Sequence, residues 1–427
     1  MPSYPYYTEP THDRGIVTNA SGNASRDTGV SDAEGRLVID VVDRIFLLEP
    51  TKHPLITLLT NVGKTFNGDA WSGSGLLKSS CHNPEFKWIE DHYGGRYCKN
   101  VGTYSASGGL TITVTGAGSS PAYIFTAGDV FKNIRTGEHM LVATVASTTT
   151  ITVATASRAY GTTAASAGAD GDEFLIIGNV NEENASARNV NTTRSATNSN
   201  YTQIFRTSIA VSGTEKAARL YGGSDLTYLR RKKATQHALD IERAFWFGEK
   251  KNDTGGTQGH QRRATGGILE WIDSGNSYVQ DQGGPLTAPD FNTFLREAFT
   301  YNAGGTKTLF CGGKVLQAIN EFARGQIQTK VGETTYGLSI SKYVSAFGNV
   351  NLVHVPQEVF PGEYAGSAFL LDVSNCLKYR FMDGRDTMLR SNVQAPDVDG
   401  QVDEYLTEAG LERKLAPTCA MLKGVID

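Results

Sequence analysis

The sequence predicts an α+β protein built of several parts, and three observations carry that prediction. At 427 residues the chain exceeds the length at which a single hydrophobic core normally stops growing. Long stretches carry apolar residues at helical spacing, most plainly "SDLTYLRRKKATQHALDIERAFWFGEKKN" at 224–252. Others, above all 103–178, are short runs of Thr, Val, Ile and Ala parted by Gly, Ser and Asn, the pattern of strands and turns.

Composition narrows the classes of function. A hydrophobic fraction of 39% and a charged fraction of 20% are those of a globular chain. The net charge of −4 lacks the basic field that holds proteins on phosphate backbones, so nucleic-acid binding as the main task is disfavoured. Cys81, Cys98, Cys311, Cys376 and Cys419 are scattered and never form a C-x-x-C pair, as reduced cytosolic thiols do. The N-terminal "MPSYPYYTEPTHDRG" has neither a basic region nor an apolar run, and no stretch reaches the roughly 18 apolar residues of a membrane span. A cytosol-like site of synthesis without membrane contact is expected, and sequons such as Asn200-Tyr201-Thr202 then carry no glycosylation meaning.

Residues 1–30 are polar and aperiodic, too poor in apolar groups for a core, so they are expected to lie as an arm on something else. At Ser31 and Glu34 a capping box precedes "RLVIDVVDRIFLLEP", whose Val38, Val41, Ile45 and Leu48 predict a helix ended by Pro50. "LITLLTN" is a second short apolar stretch and "FNGDAWSGSG" a loop. "FKWIEDHY" at 86–93 and "YTQIFRTSIAV" at 201–211 alternate as half-exposed strands. Between them, 103–178 predicts a small closed or nearly closed β module inserted into a long two-stranded excursion.

The long helix follows, with Ser224 as N-cap, Asp225 complementing the dipole, and a stop at Gly255-Gly256. Leu226, Leu229, Ala234, Ala238, Ile241 and Phe245 mark one face, and 1.5 Å per residue gives a beam of roughly 35–40 Å. "PDFNTFLREAFTYNAGG" and "KVLQAINEFARGQI" predict helices around the buried strand "TKTLFCGG". "YGLSISKYVSAFGNVNLVHVP" predicts a hairpin turning near Gly348-Asn349, and "SAFLLDVSNCLKYRFM" and "EYLTEAGLERKL" supply further strands.

Catalytic motifs are weak throughout. "VGKT" lacks the glycine five residues before Gly63, where Leu58 stands, and "SGSG" lacks G-x-S-x-G spacing. Cys81, His82, His92 and Cys98 fall within eighteen residues, yet adjacent Cys81 and His82 on a strand point to opposite faces. Glu90 and Asp91 read as a solvated strand edge, not an acid–base pair. The run Arg230 to Lys233 lacks the aromatic interleaving and wider basic stripe of a nucleic-acid site. His237 and His354 sit singly in helical or strand patterns, where structural roles are expected. No catalytic, cofactor or metal residue is assigned.

The order of parts, and the blocks "EPTKHPLITLL", "NPEFKWIEDHY", "NYTQIFRTSIAVSGT", "YGGSDLTYLRRKKATQHALDIERAFWFG", "ATGGILEWI" and "YLTEAGLERKLAP", resemble the major capsid proteins of tailed bacteriophages, the Hong Kong 97-type fold. The resemblance implies an N-terminal arm at 1–35, a helical segment at 36–85, an extended loop at 86–102 and 179–212, and an inserted β module at 103–178. It further implies a peripheral domain at 213–285 with spine helix 224–251, an axial domain at 286–372, and peripheral return strands at 373–427. The implied protein is no enzyme and needs no cofactor. It assembles with itself as pentamers and hexamers into an icosahedral head, cooperates with a portal and with scaffold or decoration proteins, and encloses double-stranded DNA without sequence-specific binding. It resides in the virion after assembly in the host cytoplasm. Arg230, Lys233, Glu90, Asp91 and Arg206 are the candidates for subunit interfaces, with charge reversal at Arg230 expected to cost the isolated fold little. Nothing marks the Lys–Asn pair that some relatives crosslink. The alternatives from other classes are a tail or fibre protein, which needs no long central helix, and a hydrolase with a carbohydrate-binding β insertion, which needs a pocket of convergent titratable groups.

Overall fold

Strand pairing sorts the chain into a seven-stranded, a five-stranded and a six-stranded sheet. They are seen in a computed structural model that describes residues 53–60 and 77–426, except 92–94, 117–119, 162–163, 185, 219–224, 256–258, 275–276, 302–304 and 323–339, plus the pieces 17–18, 30–31, 66–67 and 70–71. The expected arm and first helix lie outside the described residues, apart from Val17–Thr18 and Val30–Ser31, which pair in parallel. Within the expected loop, Phe66–Asn67 pairs with Ala70–Trp71.

The helices are α1 (Pro54–Thr60), α2 (Gly213–Ala217), α3 (Asp225–Phe247), α4 (Ile268–Ser274), α5 (Ala288–Ala298), α6 (Gly313–Phe322) and α7 (Val373–Cys376). The beam α3 stops eight residues before Gly255, and Ser224 lies outside the described residues. Close packing sets its end. A Cβ on Gly248 would lie 2.5 Å from the carbonyls of Ala244 and Thr265, and one on Gly267 2.8 Å from the Gly248 nitrogen. Only a glycine pair lets the chain cross there before α4 starts.

Ile241 and Phe245 are buried as the helical period requires, but so are Leu239, Glu242 and Trp246. The end of α3 is therefore enclosed on two sides. Phe245 meets Tyr379 of the five-stranded sheet edge to face at 5.6 Å, while Trp246 packs on Phe310 and Phe369 of the six-stranded sheet at 5.2 and 5.1 Å. One core joins both sheets through this helix end.

In the five-stranded sheet, Gly400–Arg413 is the central strand, flanked by Gln203–Ser212 on one side and by Leu377–Met382 and Met388–Arg390 on the other. Lys78–Cys81 lies outermost. The six-stranded sheet runs Tyr278–Gly284, Ala420–Val425, Ala368–Leu371, Thr306–Cys311, Asn349–His354, Ile340–Val344. Its other face packs against α5 and α6 through Phe291, Phe294, Leu295, Val315 and Ile319. The last two strands form the hairpin expected at Gly348. Two expected boundaries need correction here. Limits at 286 and 372 cut through this sheet, because Tyr278–Gly284 and Ala420–Val425 pair within it; neither edge is marked by a composition shift.

The extended loop is corrected in the same way. Among the described residues of the loop, only Glu85–Glu90 and Ala196–Tyr201 pair as a two-stranded ribbon. Gln203–Ser212 pairs instead with the long central strand, and Tyr97–Val101 and Glu173–Asn179 belong to the seven-stranded sheet. Beyond the ribbon, that sheet nearly closes on itself: His139–Leu141 pairs with Asp129–Asn133, and three residues later Thr144–Val145 pairs with Thr150–Val153 at the opposite end of the strand order. Its own core centres on Phe131 and Phe174, 5.0 Å apart and edge to face. The irregular residues after 153 are pinned by a buried pair, Arg158 Nε to Glu138 at 2.7 Å, and by Arg135 against Asp172, whose carboxyl that guanidinium holds down at about 2. Ribbon, long helix, helix-backed sheet and return strands together make an α+β chain.

Burial of a carboxylate at the heart of this frame gives a pH prediction. Glu242 is fully buried and accepts the N–H groups of Leu55 (2.9 Å) and Ile56 (2.8 Å) at the start of α1, and Trp246 Nε1 at 3.2 Å. Desolvation outweighs these donors and pushes its carboxyl from 4.5 up to about 7. The native state thus binds this proton more tightly than the unfolded chain. The resulting stability is complete below 4.5 and lost as pH rises through about 7. In denaturant melts, Glu242→Gln should shrink the difference in stability between about pH 5 and pH 8 by about 2.5 kcal/mol. An unchanged pH profile would show that Glu242 does not titrate there.

Candidate assembly surfaces

The ribbon shows how side chains are divided between the subunit and its surroundings. Alternation turns Phe86 and Trp88 inward, where their rings stack at 6.2 Å, and leaves Ile89 70% exposed. Gly410 beneath admits the contact, since a Cβ there would lie 2.5 Å from the Tyr201 carbonyl and 2.9 Å from the Phe86 ring. Asn200 is the joint. Its Nδ2 donates to Leu411 (2.7 Å) and Gly266 (3.0 Å) carbonyls, and its Oδ1 accepts from the Gly266 and Tyr201 nitrogens, each at 2.8 Å. Thr202, also fully buried, donates to Glu408 at 3.1 Å. The sequon is thus a structural latch. Sequence reasoning missed that role, because only the change of strand partner at Thr202 reveals it.

Of the two ribbon acids, Glu90 turns back on its own chain, accepting from Trp88 Nε1 at 2.6 Å and the Leu415 nitrogen at 3.2 Å. Asp91 is exposed and accepts from the Thr193 hydroxyl at 2.9 Å. The solvated edge expected for both is therefore found for Asp91 alone.

The basic candidates are drawn to the central strand. Arg230 donates from Nε to the fully buried Asp403 at 2.8 Å, and Arg206 to Glu404 at 2.5 Å. Arg385 and Arg380 pair likewise with Glu408 and Glu412. Burial alone would raise the Asp403 carboxyl, but donors from Gln401, Arg230 and the Asn392 nitrogen hold it below its ordinary value. The outer part of Arg206 remains open, its side chain being 63% exposed. Lys233 is half-buried and forms no ion pair among the described residues. The expected small folding cost of charge reversal at Arg230 is corrected by this pairing. The missed signal was "VDEYLTEAGLER", whose acids fall on both faces of one strand and so cannot all meet solvent.

Among the described residues the motifs bring together no group of metal ligands. Cys81 donates to the Phe381 carbonyl at 3.3 Å on the five-stranded sheet, Cys98 lies in the core of the seven-stranded sheet, and His92 lies outside the described residues. His237 bridges the hydroxyls of Thr207 (2.9 Å) and Thr407 (2.8 Å), and burial lowers its pKa toward the neutral ring. An open cleft of about 440 Å³ beside α6 is lined by Gly313, Leu316, Gln317, Asn320, Glu321 and His354, with no serine, threonine or cysteine among them.

Residues 16–425 match the family described as SU10 major capsid protein. The chain is 26% identical over 328 residues to a major capsid protein of Pseudomonas phage PaMx41, covering 70% of this chain and 76% of that one. Among solved structures, the capsid of a native GTA particle is similar with a TM-score of 0.39 and 11% identity, over 58% of this chain and 80% of that one. Mycobacterium phage Bobi gives 0.38 and 11%, over 57% and 80%. The holo-SrpI encapsulin of Synechococcus elongatus gives 0.37 and 11%, over 54% and 76%. These structural scores are too low to add to the argument, which the match across nearly the whole chain carries: the protein belongs to the SU10 major capsid protein family and is a shell-forming phage protein.

Proposed function

We propose that copies of this chain close as pentamers and hexamers into an icosahedral head that encloses double-stranded DNA, in a purely structural, non-enzymatic role. The family match over 16–425 carries the reading. The ribbon adds physical support. Among the described residues, both strands leave an outer edge unpaired, and Ile89 stands exposed beside one of them. Such edges invite pairing by another chain unless something covers them; in a shell, a neighbouring subunit does so. Heterologous contacts of this kind close into rings, and many modest ones sum to a stable particle. The near-balanced charge suits a container that holds DNA without gripping it.

Portal, scaffold and decoration proteins are the partners this role calls for, and the host cytoplasm is the site of assembly. Lys233, Asp91 and the open side of Arg206 are the proposed contact residues. The module at 103–178 is proposed to project from the ribbon as a separate unit. In the assembly test, subunits supplied with portal and scaffold should sediment as megadalton particles and appear as closed shells by negative-stain microscopy. Monomers under every such condition, or tubes alone, would overturn the reading.

A further inference from the structure

Beneath the turn Ala416–Thr418 lies a buried polar group that neither the cores nor the surfaces above explain. Lys307, in the strand Thr306–Cys311, is fully buried. Its ammonium donates to the carbonyls of Thr418 (2.6 Å), Ala298 (2.7 Å) and Tyr301 (3.1 Å), and sits 4.8 Å from the Phe299 ring centre. Two thiols share the site. Cys376 ends α7, and Cys419 leads into the strand Ala420–Val425; each is 1% exposed. The Thr418 hydroxyl lies 3.0 Å from Cys376 Sγ and 3.7 Å from Cys419 Sγ. The Cys376 thiol also hydrogen-bonds Cys419, whose sulfur accepts the Asp372 N–H as well.

These neighbours make the two thiols unequal. Burial would raise the Cys419 thiol, but the donors from Cys376, Asp372 and Thr418, with the Lys307 charge, bring it below the ordinary thiol value. Its hydrogen bond to Cys419, then burial, push the Cys376 thiol up. The site lies one residue below the surface, since Pro417 is exposed and Thr418 half-buried.

We propose that Cys419 and Cys376 are an attacking and a resolving thiol that close into an intramolecular disulfide when the subunit meets a small oxidising disulfide. Oxidised glutathione serves as the probe. The Cys419 thiolate attacks one glutathione sulfur, the glutathione S–S bond breaks, and one glutathione leaves as a thiolate that takes up the proton Cys419 gave up. The Cys376 sulfur, as its proton departs, then attacks Cys419 Sγ and expels the second glutathione thiolate, which takes that proton. Two electrons pass from the cysteine pair to the probe. The new bond ties the strand Leu377–Met382 of the five-stranded sheet to Ala420–Val425 of the six-stranded sheet, across their common core. Reducing surroundings keep the lock open and oxidising ones close it.

The full-length subunit, treated with oxidised glutathione without denaturant, should fall from five free thiols to three. Digestion should yield one peptide pair linked through Cys376 and Cys419. Cys376→Ser should stall at a glutathione adduct on Cys419, and Cys419→Ser should keep its remaining four thiols. Five thiols persisting until denaturant is added would overturn the proposal, as would a stable adduct on the unsubstituted chain. If either serine variant fails to fold, the linked peptide of the unsubstituted chain decides alone.

Discussion

Phe245→Ala is expected to destabilise the subunit by about 3–5 kcal/mol, the cost of deleting a fully buried ring that its surroundings cannot close over. Phe245 is 0% exposed and meets Tyr379 edge to face. Its neighbour Trp246 stands against Phe310, Phe360 and Phe369. Collapse into the cavity is blocked on both sides, because α3 is held at this point by two sheets rather than laid on one. The loss should appear in denaturant melts of the soluble subunit, or as insoluble protein when stability falls below what folding in the cell requires. Phe245→Leu keeps most of the volume and should lose less than half as much. Equal losses for both variants would show that the edge-to-face contact, not the cavity, sets the cost.

The same helix shows what the sequence made legible and what it did not. Periodicity located α3 and put Ile241 and Phe245 inward, because apolar spacing reports burial directly. It could not place the helix end, which depends on the meeting of Gly248 with Gly267 and Thr265. Nor does it mark Glu242, since one acid among apolar neighbours gives no sign of two N–H groups waiting 186 and 187 residues away. Alternation found the strands Gln203–Ser212 and Glu85–Glu90 yet paired them wrongly. A two-residue period states which side of a strand is buried, never which strand lies beside it. The candidate contacts suffered from the same limit. Arg230 and Arg206 look like free surface charges until the acids of Gly400–Arg413 are brought beneath them. The pairings came from the structure.

Charge reversal at Arg230 follows from that pairing and should act on the fold before any assembly takes place. Asp403 is 0% exposed, and two guanidinium nitrogens of Arg230 approach its Oδ2 at 2.6 and 2.8 Å. Arg230→Glu would set a second carboxylate against a buried one, so the variant both loses a buried pair and gains a repulsion, at a cost of about 2–4 kcal/mol. Two facing carboxylates cannot both stay ionised cheaply, so one would take up a proton with a raised pKa. The stability of the variant should then recover as pH falls. In the parent chain Asp403 is held below its ordinary value, so the stability it contributes is present above the unfolded-state pKa and is lost as pH falls through the folded one. Opposite slopes in the acid range are the signature to measure. Lys233→Glu provides the contrast: it breaks no ion pair among the described residues, so it should leave the subunit's melt within about 0.5 kcal/mol of the parent. Any loss of shells or new salt sensitivity then belongs to a contact between subunits, where a small penalty is repeated at every copy. Normal shells from Lys233→Glu would return that lysine to solvent, and parental stability in Arg230→Glu would mean that the bond to Asp403 contributes nothing to the fold.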